Sequence, residues 1–508
     1  MDDEAKRQDE VFAFLSDPAS HGGDAVRRID THGASVFLAG NTALKVKRAV
    51  RFPFLDYSTL QKRKAACEAE LAVNRPYAPE IYRRVVAITR NRGGALAIGG
   101  AGEPVEWAIE MRRFDETRTL DNLREIDEAL ADALGRAVAA AHAEAPAVAA
   151  APWIAALETY LDQNLAAFRD MPDLFEPEAV AALDRQSRGS FNRLVPLLAA
   201  RGKLGRVRRG HGDLHLGNIA LIDGRPVLFD AIEFDPLIAT GDVLYDLAFL
   251  LMDLCERGLT QAANIVFNRY LIESRCVEDL DGLAALPFYL SLRAAIRAKV
   301  TAARIERAAP HDREAISNAA RAYFRFASNT IAPPTPKFIA VGGLSGTGKS
   351  RLARGLAPFV APMPGAVVVR SDVERKMLFG IGETEKLPDA AYTRGVTERV
   401  YAAALDKARR VVAAGHSAIV DAVFADPRER AGFAAAARAA NTRPQGLFLA
   451  ADLATRLARV GTRPRDASDA DESVARAQER YELGTLDWTR IDATGTPERT
   501  LSLAREAL

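Results

Sequence analysis

The chain carries almost no net charge. Its 68 Lys and Arg residues face 67 Asp and Glu, leaving +1 over 508 residues. That balance argues against a generally basic nucleic-acid-binding surface and leaves only a local basic patch open. There are three cysteines, Cys67, Cys255 and Cys276. They are far apart and form no C-x-x-C pair, so neither a disulfide framework nor a zinc site is expected. No stretch of about 18 uncharged apolar residues is present, so no membrane span is expected. The opening Met-Asp-Asp-Glu-Ala-Lys-Arg is acidic and polar, without the basic-then-apolar order of a secretory signal. The expectation is a cytoplasmic protein. Repeats and a low-complexity tail are missing too, and the alanine-rich runs at 143–156 and 434–440 read as helix.

What the chain has is apolar material for more than one core. Hydrophobic residues make up 48% and charged residues 27% of a chain too long for a single ordinary domain. The clearest break is Ile331-Ala-Pro-Pro-Thr-Pro-Lys337. Three prolines in four residues neither continue a helix nor sit in a central strand, and they favour an extended spacer. This predicts domains at 1–330 and 338–508 with a linker at 331–337. Within the first, a small β-rich lobe is expected at about 25–115. Ser35–Ala39 and Ala43–Lys47 read as a hairpin, a helix runs from Leu60 to about Arg75, and Val85–Thr89 and Val105–Met111 read as strands. A helical lobe follows over about 116–330, interrupted by short strands near Asn218–Leu221 and Pro226–Phe229.

Gly343-Leu344-Ser345-Gly346-Thr347-Gly348-Lys349-Ser350 fits G-x-x-x-x-G-K-[ST]. Glycines let the backbone wrap so that its N–H groups face a phosphate, Lys349 brings a cation to the β- and γ-phosphates, and the Ser350 hydroxyl can ligate Mg²⁺. An apolar strand, Phe338–Gly342, precedes the motif. A helix follows and adds its positive N-terminus. Two further apolar runs end on acids, Val367 to Asp372 and Ala418 to Asp421. In a doubly wound sheet the carboxyl ends of strands line the ligand crevice. Asp421 fits a Walker-B-type metal carboxylate. Asp372, with Arg375 one turn on, fits a catalytic base facing the acceptor, or alternatively the N-cap of a helix from Val373. Arg459, Arg463 and Arg465 lie in a stretch that can close on a transferring phosphate, with Arg463 as the catalytic candidate; a solvated charged loop is the alternative.

The half from about 337 to 508 resembles the small P-loop kinases and is similar to the predicted kinases grouped with gluconate kinases, zeta-type toxins and the kinase domain of polynucleotide kinases. The P-loop, Ser371-Asp372-Val-Glu-Arg375 and the stretch Arg465-Asp-Ala-Ser-Asp-Ala470 carry the resemblance. It implies a P-loop NTPase fold, a doubly wound parallel sheet with helices on both faces.

The second signal is Gly210-His-Gly-Asp213-Leu-His-Leu-Gly-Asn218. Asp213 and Asn218 have the separation of the kinase catalytic loop, in which the Asp takes the acceptor hydroxyl's proton and the Asn ligates Mg²⁺. The His-Gly-Asp form is that of aminoglycoside and choline phosphotransferases. Asp230, after a short strand, occupies the place of the metal-binding Asp of D-F-G. Lys45 resembles the V-A-I-K lysine, although Lys47 lies on the same face of its strand. Glu70 is its expected partner, with Glu68 as the alternative, and Met111 falls near the expected adenine hinge. Residues from about 30 to 327 resemble the aminoglycoside phosphotransferase-like kinases. Thr31-His-Gly-Ala-Ser-Val-Phe-Leu and Phe54-Leu-Asp-Tyr-Ser-Thr-Leu look closest to a bacterial branch often fused to a P-loop kinase. The resemblance implies a bilobal protein-kinase-like fold in which Asp242 and Asp246 brace the catalytic loop. One departure is plain: no G-x-G-x-x-G precedes Lys45. Arg293, Arg297 and Lys299, at helical spacing, fit either an anionic acceptor or a solvated face.

The fold class expected is thus α/β together with α+β. The function expected is ATP-dependent, bifunctional phosphotransfer of the ATP γ-phosphate to a hydroxyl of a small metabolite, from two sites in one chain, with ATP and Mg²⁺ as cofactors. Two alternatives stand beside it: a single P-loop kinase with a nucleotide-binding regulatory module in front, and a toxin-like or polynucleotide 5′-hydroxyl kinase. Neither the acceptor nor the oligomeric state is written in these motifs.

Overall fold

The computed structural model describes residues 2–52, 55–461 and 466–508. Its contacts gather into two compact units, Met1–Leu157 with Leu198–Leu250, and Glu158–Leu197 with Leu251–Leu508. No helix among the described residues is long and apolar enough to cross a membrane.

The first unit is built on a six-stranded sheet in the order Val26–Asp30, Ala34–Ala39, Thr42–Lys47, Glu103–Arg112, Tyr82–Arg90, Leu96–Ile98, with every neighbouring pair antiparallel. The expected hairpin is present, and Gly40 turns it at φ +50°, a left-handed value that suits glycine. The helix Leu60–Asn74 starts at a Thr59 N-cap and packs beside the sheet. Two elements were not expected from the sequence, the helix Asp2–Ser16 and the edge strand Val26–Asp30. Both are mostly polar. The helix offers only Val11, Phe12 and Leu15 to a core, which they form with Phe37, Leu44, Val46, Val86, Ile88 and Ala108. The strand exposes Arg27, Arg28 and Asp30, charges that blunt a sheet edge. Packing, rather than periodicity, decides these two elements.

On the opposite side of the sheet, Cys67, Ile81, Tyr82 and Ile109 share a core with Ala220, Ile222 and Val227. The last three belong to the hairpin Ile219–Ile222/Arg225–Leu228, close to where two short strands were expected. This core seats the catalytic-loop segment beneath the sheet. The buried Arg201 guanidinium grips the buried Asp242 carboxylate at 2.5 and 2.7 Å, and Asp242 Oδ1 also accepts from the Leu244 amide.

The second unit holds a five-stranded parallel sheet in the order Val367–Arg370, Ala418–Asp421, Phe338–Gly343, Pro444–Ala450, Thr489–Asp492. Phe338–Gly343, Val367–Arg370 and Ala418–Asp421 are short and buried throughout, as covered parallel strands are, whereas Thr489–Asp492 is polar and mostly exposed. Ile339, Val341, Ile419, Leu447 and Ile491 meet Leu352, Leu356 and Ala504 in one of its cores. The same unit contains helices of the preceding half, among them Thr260–Ser274, Leu286–Ala302 and Arg313–Thr330. On the second of these, Arg293 is buried, Arg297 lies 5.7 Å from the Tyr323 ring centre, and burial pulls the Lys299 amine below its usual pKa.

Candidate active sites

In the first unit the strand Thr42–Lys47 aims two lysines at one acid. Lys45 Nζ donates to Glu70 Oε1 at 2.8 Å and to Asp230 Oδ1 at 2.6 Å. Lys47 Nζ lies 2.5 Å from Glu70 Oε2 and 2.5 Å from Glu233 Oε1. Lys45 therefore bridges the helix Leu60–Asn74 and the segment after the hairpin, while the more deeply buried Lys47 holds Glu233, which also accepts from the Tyr57 hydroxyl. Burial opposes the charge on Lys45, but Asp230 and Glu70 override it and hold the amine well above its usual range. Desolvation likewise works against ionised Asp230, and Lys45 keeps that carboxyl below the usual value. Glu68 points elsewhere: it is exposed and pairs with Lys64 at 3.6 Å. Met111 is opposite Ala43 and Tyr82 in the sheet.

The Gly210–Asn218 loop carries its acid and amide together. Asn218 Nδ2 donates to the Asp213 backbone oxygen at 2.9 Å and to its carboxylate at 3.0 Å, and His215 Nε2 lies 3.4 Å from the same carboxylate. Asp246 takes the amides of His211 and Gly212 at 2.8 and 3.1 Å and meets His142 Nε2 at 3.3 Å. Gly212 adopts φ +81°, and a Cβ there would stand 2.8 Å from the Ala239 backbone. Asp230 itself takes φ +62°, with its amide donating to the Tyr82 hydroxyl at 3.2 Å. The next residue is clamped on both sides, since Asn74 donates to the Ala231 oxygen (3.0 Å) and accepts from its amide (2.6 Å). Asp230 is thus a strained residue fixed from both neighbours. The turn at Thr31–Gly33, where a kinase carries its glycine-rich loop, is short and closed by Thr31, whose amide donates to the Ala34 oxygen at 2.8 Å and whose hydroxyl accepts from the Ala34 amide at 3.0 Å.

In the second unit the P-loop wraps between the strand Phe338–Gly343 and the helix Lys349–Leu356. Gly346 and Gly348 take φ +84° and +93°, and a Cβ on Gly346 would stand 2.4 Å from the Arg456 carbonyl oxygen. The loop is held from outside: Ser345 N donates to Gln478 Oε1 at 2.6 Å and Arg456 Nε to the Ser345 oxygen at 2.8 Å. Lys349 Nζ donates to the Leu344 oxygen at 3.3 Å, folded over its own loop.

Asp421 closes one strand, and Asp372 follows the end of the strand beside it. Asp421 ends Ala418–Asp421, beside the P-loop strand, and lies 3.3 Å from Arg370 Nε. Asp372 sits inside the helix Ser371–Phe379, one residue past its start. The helix begins earlier than Val373, so the N-cap alternative for Asp372 does not hold; Arg370 occupies that position. Burial first, then the Asp421 charge, push the Asp372 carboxyl above its usual range, partly offset by Arg370 and Lys349. Arg375 is held within the unit's own side chains and backbone. It donates to the Ala391 oxygen at 2.6 Å and lies over the Tyr392 ring. Arg459 is equally occupied, donating to the carbonyls of Ala493 (2.7 Å) and Gly495 (3.0 Å) from the helix Leu453–Gly461. Arg463 and Arg465 lie outside the described residues.

Arg370, Asp466 and Asp469 did not stand out as functional candidates. Asp466 takes Arg370 through two bonds of 3.0 Å, Ser468 hydrogen-bonds Asp372, and Asp469 takes Lys376 at 2.8 Å, the Leu387 amide at 2.9 Å and the Tyr392 hydroxyl at 2.7 Å. The 466–469 stretch therefore fastens onto the helix that carries Asp372. The available signal was a lone arginine closing an apolar run, because a buried charge needs partners.

Comparison with known proteins finds two separate matches along the chain. Residues 35–286 match the model of the phosphotransferase enzyme family, and residues 338–483 match that of an AAA domain. Uncharacterized proteins of Mycobacterium tuberculosis and Mycobacterium bovis are 30% identical over 486 residues, covering 94% of this chain and 94% of each relative. Among solved structures, a choline/ethanolamine kinase family protein from Mesorhizobium loti is similar at 15% identity, covering 63% of this chain and 94% of that one with a TM-score of 0.38. A gluconokinase from Sinorhizobium meliloti 1021 is similar at 20% identity, covering 34% of this chain and 94% of that one with a TM-score of 0.26. A phosphotransferase family match and a P-loop match in one chain, with relatives running its whole length in the same way, place the protein in that two-part family and make it an ATP-dependent kinase.

Proposed function

We propose that the chain is a bifunctional ATP-dependent phosphotransferase, with one site in 1–330 and another in 338–508, each moving the γ-phosphate of ATP to a hydroxyl of a small metabolite. The observation that carries the bifunctional reading is in the first unit: Lys45 spans Glu70 and Asp230 while Asn218 holds Asp213. A module kept only for its shape has no need of five charged or amide side chains in these positions.

In that site Lys45, oriented by Glu70, meets the α- and β-phosphates. Asn218 and Asp230 supply oxygen donors of the kind Mg²⁺ takes, and their neighbourhood is acidic enough to suit it. A Mg²⁺ held by Asn218 and Asp230 would supply neutralisation of the phosphate charge. Asp213 accepts the proton of the acceptor hydroxyl, and its partly exposed carboxylate leaves room for that contact. In the second site the amides of Ser345–Gly348 and Lys349 hold the β- and γ-phosphates, and Ser350 and Asp421 are the expected Mg²⁺ ligands. Asp372 receives the acceptor proton. A carboxyl raised above its usual pKa is a better base for a hydroxyl than an ordinary aspartate. Arg463 is proposed to neutralise charge on the transferring phosphoryl group.

The test is ADP release by the full chain across sugars, polyols, nucleosides and 5′-hydroxyl oligonucleotides, comparing Lys349→Ala with Asp213→Asn. Two acceptors, each lost in a different variant, are expected. One acceptor lost in both, or a response only to Lys349→Ala, rejects the bifunctional reading. Response to oligonucleotides alone would favour an end kinase.

A further inference from the structure

The site in the first unit holds a second buried lysine that takes no part in the reaction proposed above. Lys45 and Lys47 lie on one face of the strand Thr42–Lys47 and share a single carboxylate. Lys45 Nζ meets Glu70 Oε1 at 2.8 Å, and Lys47 Nζ lies 2.5 Å from Glu70 Oε2. Glu70 is fully buried, so its charge depends on these two ammonium groups rather than on water. Lys47 Nζ also donates to Glu233 Oε1 at 2.5 Å, and the same oxygen accepts from the Tyr57 hydroxyl at 3.0 Å. The backbone of Lys47 is fixed as well, since its carbonyl accepts from Gln8 Nε2 at 2.8 Å.

The charges of this cluster do not balance. Two ammonium groups, Lys45 and Lys47, meet three carboxylates, Glu70, Asp230 and Glu233, which leaves −1. Phosphates compete with Glu70 and Asp230 for Lys45. Lys45 turns to them readily only if the acids around it keep another cation. Lys47 supplies that cation to the far oxygen of Glu70 and to Glu233. Without it, Lys45 alone meets Glu70 and Asp230, Glu233 keeps only the Tyr57 hydroxyl, and the cluster stands at −2. Such a cluster holds Lys45 back and repels a polyphosphate.

We propose that Lys47 is a positioning residue for nucleotide binding in the first unit, freeing Lys45 for the phosphates by compensating Glu70 and Glu233. The proposal rests on the reading of that site given above. It has a consequence that a merely structural tie lacks. Lys47→Met together with Glu233→Gln removes one charge of each sign and restores −1, and the glutamine still offers an oxygen to Tyr57. The double variant should therefore bind nucleotide better than Lys47→Met alone. Loss of a structural tie would leave the double variant at least as damaged as the single.

The experiment is calorimetry of ATP with Mg²⁺ on the full chain carrying Lys349→Ala, with thermal unfolding as the check on folding. Lys47→Met is expected to raise the Kd for ATP about tenfold, the scale of one uncompensated charge near the ligand. The double variant should return to within about threefold of the parent, and Glu233→Gln alone should bind at least as tightly as the parent. A Kd within about twofold of the parent in Lys47→Met, a double variant as weak as the single, or Glu233→Gln as weak as Lys47→Met overturns the proposal. Should Lys47→Met fail to fold, the double variant decides: binding within about threefold of the parent supports the proposal, and weaker binding overturns it. Lys45→Met in the same background separates the underlying reading. If ATP still binds to it as to the parent, or if the parent itself binds none, the phosphate role of Lys45 falls and this proposal with it. If Lys45→Met abolishes binding, the Lys47 outcome stands by itself.

Discussion

Asp466 and Arg370 are 96 positions apart and meet through two parallel bonds of 3.0 Å, with Arg370 buried at the end of its strand. Burial alone would raise the Asp466 carboxyl, but the bonds and charge of Arg370 win and push it down to about 2. A carboxyl depressed on folding stabilises the folded state above its unfolded pKa, roughly 3.9, and that stabilisation is lost as pH falls toward the folded value. The second unit should therefore weaken between about pH 4 and pH 2. Asp466→Asn should be less stable at neutral pH and should flatten this acid limb in unfolding titrations. An unchanged limb would remove the pair from the stability account.

Lys349→Ala should abolish phosphotransfer at the P-loop and leave the fold intact. The side chain rests on a carbonyl of its own loop rather than in a core, so its loss removes charge from the phosphate site and little packing. Thermal unfolding together with ADP release checks this. Turnover at that site within about twofold of the parent would contradict the Walker-A role.

Asp213 and Asp230 should separate by readout. Asp213→Asn keeps shape and hydrogen-bonding reach, so Mg²⁺-dependent ATP binding should hold while turnover falls by roughly 10²–10⁴. Asp230→Asn takes a carboxylate from both Lys45 and the metal, so nucleotide affinity should drop as well. Calorimetry in the Lys349→Ala background isolates this site. Equal loss of binding in both variants would merge the two roles.

Asp242→Ala should cost the first unit about 3–5 kcal/mol, because it removes one partner of a buried ion pair. Denaturant unfolding measures it. Asp242→Asn, which keeps one acceptor, should cost less. A neutral Asp242→Ala would make the pair dispensable.

Much of the candidate sites is readable in the sequence because their motifs are local. A P-loop needs its glycines, lysine and serine within eight residues, and a catalytic loop needs Asp213 and Asn218 within one turn of chain, so order alone reveals them. The strands Thr42–Lys47 and Phe338–Gly343 were legible for the same reason, since each is a short apolar or alternating run with turn residues at its end. Strand order, and with it the placement of Asp421 beside the P-loop, came from the tertiary structure rather than from any single segment.

Choices between equivalent residues required the tertiary structure. Lys45 and Lys47 share a strand face, as Glu68 and Glu70 share a helix. Which lysine reaches Asp230, and which glutamate reaches that lysine, depends on the sheet, the helix Leu60–Asn74 and the hairpin meeting at one core. The polar helix Asp2–Ser16 and strand Val26–Asp30 carry too little periodic apolar signal to be seen alone. Arg370 looked like the end of a strand until Asp421, Asp466 and Glu383 gathered around it from distant parts of the chain. Sequence determined the chemistry of the motifs, since backbone wrap and side-chain charge over a few residues suffice for it. The third dimension decided which charges neutralise one another, because that depends on burial and on distances of a few ångströms between segments the sequence holds a hundred residues apart.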